Sequence, residues 1–337
     1  MKIELFDYEL PQKFIAQRPL QRRDYSKLLV LDRHTGDIKH DIFYNILNYF
    51  DNEDVLVVNE SKVTRCRLLG KKEKTGANIE CFVLNKIKDN QYLVLLKPSK
   101  RLNTSDKVII GKYYFLVISR LDYGEAIVEF NTSAEKILNE YGRIPIPSYI
   151  KCKDIDESRY QTIYAEREGS SAAPTAGLHF SENLIKEIKN KGVVLAKVGL
   201  NIGLDTFRPI SSNEIEEHKM HSEYYYIRES EAKKINQSKE MGKKIIAVGT
   251  TAVRVLETLM FRYGKIIWDR GVTDIYIYPG FNFKAVDRMI TNFHLPRSTL
   301  LVMVSAFAGR ENILNAYEQA KKNNYRFYSF GDCMLIK

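Results

Sequence analysis

From about Cys66 to Phe130 the chain falls into short apolar segments: Ile79 to Leu84, Gln91 to Leu96, Lys107 to Ile110, Tyr113 to Ser119 and Glu125 to Phe130. Asp89-Asn90, Gly111 and Asp122-Tyr123-Gly124 stand between them as turn formers. Segments this short bury their apolar faces only against one another, which predicts a small β-barrel. Thr132 with Glu135 forms a capping-box start for a short helix that ends before Gly142, and the two prolines of IPIP make a stiff exit. On both sides of this stretch the rhythm is different. Before it come a strand at Leu28 to Leu31, a helix at Phe43 to Phe50 and a strand at Val55 to Val58. After Pro147, Ser181 caps a helix whose Leu184, Ile185 and Ile188 share a face, and Gly192 stops it before a strand at Val193 to Val198. A second helix ends near Gly242, a strand follows at Ile245 to Val248, and GTTAVR (Gly249 to Arg254) turns directly into another helix. Alternation of this kind builds an α/β sheet. The expected fold is a mixed α/β sheet domain, residues 1–65 and 151–337, with a small β-barrel domain inserted at 66–150. At 337 residues the chain is long enough for two cores.

The charge balance restricts the partners. Lys plus Arg number 52 against 42 Asp plus Glu, a net charge of +10. Such an excess favours a polyanion, because each phosphate neutralised releases counterions, although a generally basic protein has the same balance. Cys66, Cys81, Cys152 and Cys333 are too far apart for a C-x-x-C knuckle or redox pair and read as reduced thiols. The N-terminus MKIELFDYEL is charged where a signal peptide is apolar, and the longest apolar run, Leu300 to Ala308, is far short of a membrane span. These features point to a cytoplasmic protein.

Polar loops carry the chemistry. SSAAPTAGLHF (Ser170 to Phe180) sets Thr175 and Gly177 beside His179, a side chain that exchanges protons near neutral pH. The plain alternative is a buried turn with His179 hydrogen-bonded in the core. NIGLDTFRP (Asn201 to Pro209) holds Thr206 and Arg208, whose guanidinium suits a carboxylate. HKMHSEY (His218 to Tyr224) gathers His218, His221 and Glu223, but without a fourth ligand a metal is not expected. In GTTAVR, a strand-to-helix junction, Thr250, Thr251 and the backbone amides suit an anionic or ribose group, or simply cap the helix, and Arg254 follows. TNFHLPRST (Thr291 to Thr299) offers Asn292 as a donor to a purine and His294 as a base or a packed core histidine. Asp287 and Asp332 are weaker candidates for a base and better suited to ribose hydroxyls or to holding a histidine tautomer. Lys97, Lys100 and Arg101 in KPSKR suit a phosphate backbone, or a solvated loop. Neither G-x-x-x-x-G-K-[ST] nor a G-x-G-x-x-G after a strand occurs, so any nucleotide-like ligand is held by other means.

Taken with FDYELP (Phe6 to Pro11), AQRPLQRRD (Ala16 to Asp24), RLLGKK (Arg67 to Lys72), GRIPIPSYI (Gly142 to Ile150) and YRFYSFGDCMLI (Tyr325 to Ile336), these motifs resemble, in order and over the whole chain, the S-adenosylmethionine:tRNA ribosyltransferase-isomerases of queuosine biosynthesis. The resemblance implies the same domain division. It also implies transfer of the ribosyl unit of S-adenosylmethionine onto 7-aminomethyl-7-deazaguanine in a tRNA anticodon, isomerisation to an epoxycyclopentanediol, and release of adenine and methionine. S-adenosylmethionine is then a consumed substrate, with no further cofactor, tRNA the partner, and the protein a monomer. The sulfonium acidifies the C5′ hydrogen, so a modest base suffices; His179, His221, Glu223 and His294 are the candidates. One departure stands out: where the family usually reads His-Val-Gly-Leu-Gly-Thr-Phe-Arg-Pro, this chain has Asn201 for the histidine and Asp205 for the second glycine. An amide orients a substrate but accepts no proton, so the position reads as orienting. A non-catalytic tRNA-binding protein or a nucleoside hydrolase are the alternatives; the first leaves the polar loops unexplained, and the second needs a positioned water.

Overall fold

The computed structural model describes residues 1–152, 154–203 and 210–337. The chain divides into two compact units, Met1–Lys62 with Ser148–Lys337, and Val63–Pro147. The first contains β1 (Lys27–Leu31), β2 (Ile38–Ile42), β3 (Val55–Asn59) and the start of the short β4 (Ser61–Val63). The second holds β5 (Arg67–Lys72), β6 (Asn78–Lys88), β7 (Gln91–Lys97), β8 (Lys107–Ile110), β9 (Tyr113–Arg120), β10 (Glu125–Phe130) and the helix α1 (Ala134–Tyr141). The first unit then resumes with β11 (Arg167–Ser170), α2 (Glu182–Asn190), β12 (Val194–Leu200), β13 (Glu223–Ile227), α3 (Glu229–Glu240), β14 (Ile245–Val248), α4 (Gly249–Tyr263), β15 (Asp269–Thr273), β16 (Arg288–Asn292), α5 (Thr299–Ala308), α6 (Arg310–Lys322) and β17 (Cys333–Ile336).

Unit two is a closed barrel, β10-β7-β6-β5-β8-β9, packed around Leu68, Ile79, Val94, Val108, Phe115 and Phe130. Closure leaves no open sheet edge, which is how so small a sheet avoids pairing with another chain. The cap of α1 differs from the sequence expectation by one residue. Ser133 is the N-cap, its hydroxyl accepting from Lys136 N at 3.4 Å, because Ser133 rather than Thr132 is the last extended residue before the helix.

Unit one is built on a nine-stranded sheet in the order β15-β13-β12-β3-β14-β16-β17-β1-β2. Its centre, β12-β3-β14-β16, is parallel, while β13, β15, β17 and β2 each join it antiparallel to a neighbour. The central strands are apolar throughout because both faces are covered, as parallel strands require. Val55, Val57, Ile245 and Ala247 face a layer that includes α3, α4, α5 and α6. Leu56, Val58, Ile246 and Val248 face the other way, onto α2 and the segment Phe43–Tyr49. That segment, expected as an α-helix, is a run of 3₁₀ turns. Phe43 and Ile46 are its buried residues, and their three-residue spacing suits a 3.0-residue turn as well as a 3.6-residue one. The apolar run at Leu300 is the buried α5, and no helix among the described residues is long and apolar enough to cross a membrane.

Candidate active site

Parallel sheets bind ligands at the carboxyl ends of their strands, where loops and helix N-termini converge. Here the carboxyl ends of β12, β14 and β16 border a cleft of about 680 Å³, its open mouth included. Thr175, Thr250, Thr251, Asn292 and His294 line it, five of the residues singled out in the sequence.

The Thr250 and Thr251 side of the cleft is the start of α4. Gly249 joins β14 to this helix with φ at +84°, a left-handed conformation costly for a side-chain-bearing residue. No side chain among the described residues caps the helix, so its first N–H groups and its positive dipole end are turned to the cleft. The Thr251 hydroxyl is buried and has no hydrogen-bond partner among the described residues. A buried polar atom left unpaired beside an uncapped helix end is the arrangement expected of a ligand-binding group.

Asn292, by contrast, is fully engaged. Its amide donates to Tyr328 O at 3.1 Å and to His179 Nε2 at 3.1 Å, and its oxygen accepts from the Thr175 hydroxyl at 3.1 Å. A carbonyl only accepts, so the bond to Tyr328 fixes which end of the amide is nitrogen. His179 Nε2 is therefore an acceptor, and Nδ1 carries the proton that it donates to Ser26 Oγ at 2.7 Å. Both amide hydrogens of Asn292, expected from the sequence as a donor to a purine, are spent on protein partners. His179 is buried against Phe43, and burial first, then the nearby charges of Arg326 and Arg23, push its pKa down to about 3. His294 is also held neutral, at about 3, by burial alone. Its Nε2 is 2.7 Å from Thr291 Oγ1, and its main chain is gripped by Tyr8 and Tyr317.

The cluster in HKMHSEY is drawn into a different structure. Glu223 accepts from Gly203 N at 2.9 Å, lies 3.1 Å from His221 Nε2, and forms an ion pair with Arg254, which is only 2 % exposed. Burial opposes ionisation of Glu223, but the hydrogen bond from His221 and the charge of Arg254 outweigh it and hold the carboxyl below its usual range. The pair welds α4 to β13. Neither Arg254, His221 nor Glu223 lines the cleft. His218 turns instead to the edge of Tyr276, ring centroids 5.4 Å apart.

Three further candidates sit elsewhere. Asp287 accepts from Ile245 N at 2.8 Å, at the amino end of β14 and so at the edge of the sheet opposite the cleft. Asp332 is buried, accepts from Lys27 N at 3.0 Å and Arg326 N at 2.7 Å, and pairs with the Arg326 guanidinium at 3.3 Å. It orients an arginine, not a histidine. At Gly177 any Cβ would meet the Tyr164 hydroxyl at 2.1 Å, so the packing of the 3₁₀ turn Thr175–His179 against Tyr164 requires glycine. Thr206, Arg208 and Asp205 lie outside the described residues. In the barrel, Lys97, Lys100 and Arg101 are exposed at the end of β7, Lys97 lying over the Phe82 ring, and none has a carboxylate within ion-pair distance among the described residues.

A family model described as "Queuosine biosynthesis protein" matches residues 3–336. The chain belongs to the queuosine biosynthesis protein family. It is 50 % identical over 340 residues to the S-adenosylmethionine:tRNA ribosyltransferase-isomerases of Staphylococcus haemolyticus (strain JCSC1435) and Staphylococcus aureus (strain JH9), with both chains covered in full in each case. Among solved structures, the crystal structure of S-adenosylmethionine tRNA ribosyltransferase from Thermotoga maritima matches with a TM-score of 0.58 and 36 % identity, over 99 % of this chain and 100 % of that one. In this family member, sequence reasoning missed the aromatic wall of the cleft. Tyr149 and Tyr328, ring centroids 4.9 Å apart, line it, and the Tyr149 hydroxyl bonds Ser329 Oγ at 2.5 Å. Both tyrosines belong to the motifs GRIPIPSYI and YRFYSFGDCMLI, but only the fold brings those segments together.

Proposed function

We propose that this protein transfers and isomerises the ribosyl moiety of S-adenosylmethionine onto 7-aminomethyl-7-deazaguanine in the tRNA anticodon, giving epoxyqueuosine-tRNA and releasing adenine and methionine. The end-to-end identity with relatives that carry this name supports the reading, with each chain covered in full. The cleft has the groups the chemistry asks for. The amides of α4 with Thr250 and Thr251 suit the carboxylate or ribose of S-adenosylmethionine, and the Thr251 hydroxyl has no partner among the described residues. The faces of Tyr149 and Tyr328 suit a sulfonium cation or an adenine ring. His294 is the imidazole that lines the cleft, and it is neutral at physiological pH, the state a base needs before it accepts the C5′ proton. Anionic substrate groups entering beside it raise its basicity. His179 acts on the substrate through Asn292 and Thr175, as a positioning residue. Lys97, Lys100 and Arg101 meet RNA phosphates. On this reading the protein works as a monomer in the cytoplasm, where its tRNA substrate is met.

The test is product analysis. S-adenosylmethionine with tRNA bearing 7-aminomethyl-7-deazaguanine yields adenine and methionine and no S-adenosylhomocysteine. S-adenosylhomocysteine as the main product overturns the proposal. Adenine release without RNA turns it into a nucleoside hydrolase, and RNA binding without any turnover into a non-catalytic binder.

A further inference from the structure

Beside the cleft lies a second, smaller pocket of about 300 Å³ into which three arginines converge, Arg23, Arg159 and Arg326. They come from three separate segments, two of them inside the motifs AQRPLQRRD and YRFYSFGDCMLI, and the proposed chemistry gives none of the three arginines a task. Ser329 lines both pockets, and His179, hydrogen-bonded to Asn292 of the cleft, lines the smaller one.

The arginines are fixed by main-chain carbonyls. Arg23 Nη1 donates to Gln161 O at 2.9 Å, Arg159 Nη2 to Leu20 O at 2.6 Å, and Arg326 Nη1 to Arg18 O at 3.3 Å. Only Arg326 has a carboxylate partner among the described residues, Asp332. Neither Arg23 nor Arg159 has a carboxylate within 4.0 Å among the described residues. Asp156 acts on both only from a distance, so two guanidinium charges stand in one half-buried pocket without a contacting carboxylate among the described residues. Burial first, and then the charge of Arg159, lower the Arg23 pKa, so the cluster is repulsive until an anion joins it. Main-chain anchoring uses one nitrogen each of Arg23 and Arg159 and leaves the rest of their forks without a partner among the described residues, and that fork matches the oxygens of a phosphate.

We propose that the pocket formed by Arg23, Arg159 and Arg326 holds a backbone phosphodiester of the RNA strand next to the base that enters the cleft. This rests on the function proposed above. A single carboxylate, such as the methionyl end of S-adenosylmethionine, needs one fork and already has the end of α4. Three convergent arginines, of which only Arg326 has a carboxylate partner among the described residues, suit a strand that carries a charge at every nucleotide. Because the anchors are backbone carbonyls, the pocket is set in place before RNA arrives and fixes the register of the strand without reading its sequence.

The experiment compares wild type with Arg23→Gln/Arg159→Gln and Arg23→Lys/Arg159→Lys in the full chain. Binding of tRNA carrying 7-aminomethyl-7-deazaguanine is followed by fluorescence anisotropy over a range of salt concentrations. Affinity for S-adenosylmethionine is measured by calorimetry without RNA. The glutamine pair is expected to weaken tRNA binding roughly tenfold or more at low salt and to lower the log–log salt slope by about 0.7 to 0.9, the release expected from one phosphate contact. The lysine pair keeps the charges and most of the slope, and calorimetry gives the same affinity for all three proteins. Coincident tRNA isotherms for wild type and the glutamine pair overturn the proposal. So does an equal loss in the lysine pair, which marks a structural role, and so does a loss confined to S-adenosylmethionine, which makes the pocket a carboxylate site. The two readings fail separately: a wild type that releases no adenine while the slopes still differ sinks the proposed reaction, and equal slopes in a working enzyme sink the phosphate site.

Discussion

The unpartnered hydroxyl of Thr251 gives the sharpest separation between stability and function. Thr251→Val replaces it with a methyl group of similar shape, and both residues are β-branched with similar helix propensity, so α4 is little perturbed. An unsatisfied buried hydroxyl costs about 1 to 3 kcal/mol; Thr251 Oγ1 is itself shielded from solvent, and a methyl group in its place recovers part of that cost. The free protein is therefore expected to keep its stability or to gain up to about 1 kcal/mol, a rise in Tm of roughly 2 to 4 °C for a domain of this size. If the hydroxyl serves the substrate, the same change removes one hydrogen bond from the complex. That is about 0.5 to 1.5 kcal/mol, a two- to twelvefold rise in Kd for S-adenosylmethionine. Calorimetry of binding and thermal unfolding without ligand, on wild type and variant in one buffer, read the two effects. A variant destabilised by more than about 1 kcal/mol means that the hydroxyl has a partner in the free protein. Unchanged affinity removes Thr251 from the site.

The other predictions concern charge and protonation. Glu223→Gln leaves the Arg254 guanidinium buried without its countercharge and should cost about 3 to 5 kcal/mol in urea unfolding at pH 7; a loss below about 1 kcal/mol would show that Arg254 finds another partner. His179 and His294 stay neutral in the fold to about pH 3, whereas an unfolded imidazole protonates near 6.5. Both folded values are depressed, so their contribution is full above about pH 6.5 and is lost as pH falls toward the folded value, by about 2 kcal/mol per imidazole between pH 7 and 5. His294→Asn should make the decline between those pH values shallower by that amount, and an unchanged decline would mean that His294 is protonated in the fold. Replacing Lys97, Lys100 and Arg101 by glutamine should flatten the salt dependence of tRNA binding by about 0.7 to 0.9 for each phosphate that is no longer neutralised, with little change in turnover at saturating tRNA; an identical slope assigns the cluster to the solvated surface. Asn201 accepts from Ser61 Oγ at 3.3 Å and lies against Gly169; if the position only orients substrate, Asn201→His should release adenine within about tenfold of wild type. An inert wild type revived by that change would defeat the orienting role.

What could be read from the sequence was local. The strands at Val55 and Ile245 are short apolar runs bounded by polar residues, and the structure places them at Val55–Asn59 and Ile245–Val248. Buried parallel strands need such runs, so the α/β alternation was visible. Ser181 was legible as a cap because its bond, to Leu184 N at 3.2 Å, spans three residues. Phe43–Tyr49 was misread because seven residues are too few to separate a 3.0 from a 3.6 period. In the site, motifs revealed which segments carry polar groups but not whom those groups face. Glu223 stands two residues from His221 and looks catalytic in sequence, yet its deciding partner, Arg254, comes from another motif 31 residues away. Asp287 precedes β16 by one residue, and only the parallel pairing of β16 with β14 reveals that this is the wrong end of the strand.

The hydrogen-bond state of each polar residue separates framework from site more sharply than its type does. Asn292 and Glu223 have the side chains expected of chemistry, but the amide hydrogens of one and the charge of the other are already committed to protein partners, and using them on a substrate would break bonds that hold the fold. Thr251, the uncapped end of α4 and the carboxylate-free forks of Arg23 and Arg159 are ordinary residues at first reading, yet each holds polar capacity that the described residues do not use. Capacity of that kind costs stability in the free protein, so a fold keeps it where a ligand supplies the missing partner. On that argument substrate recognition rests on the start of α4 and on the arginine pocket, and the buried imidazole of His179, bonded toward the cleft through Asn292 and flanked by Arg23 and Arg326, lies between the two.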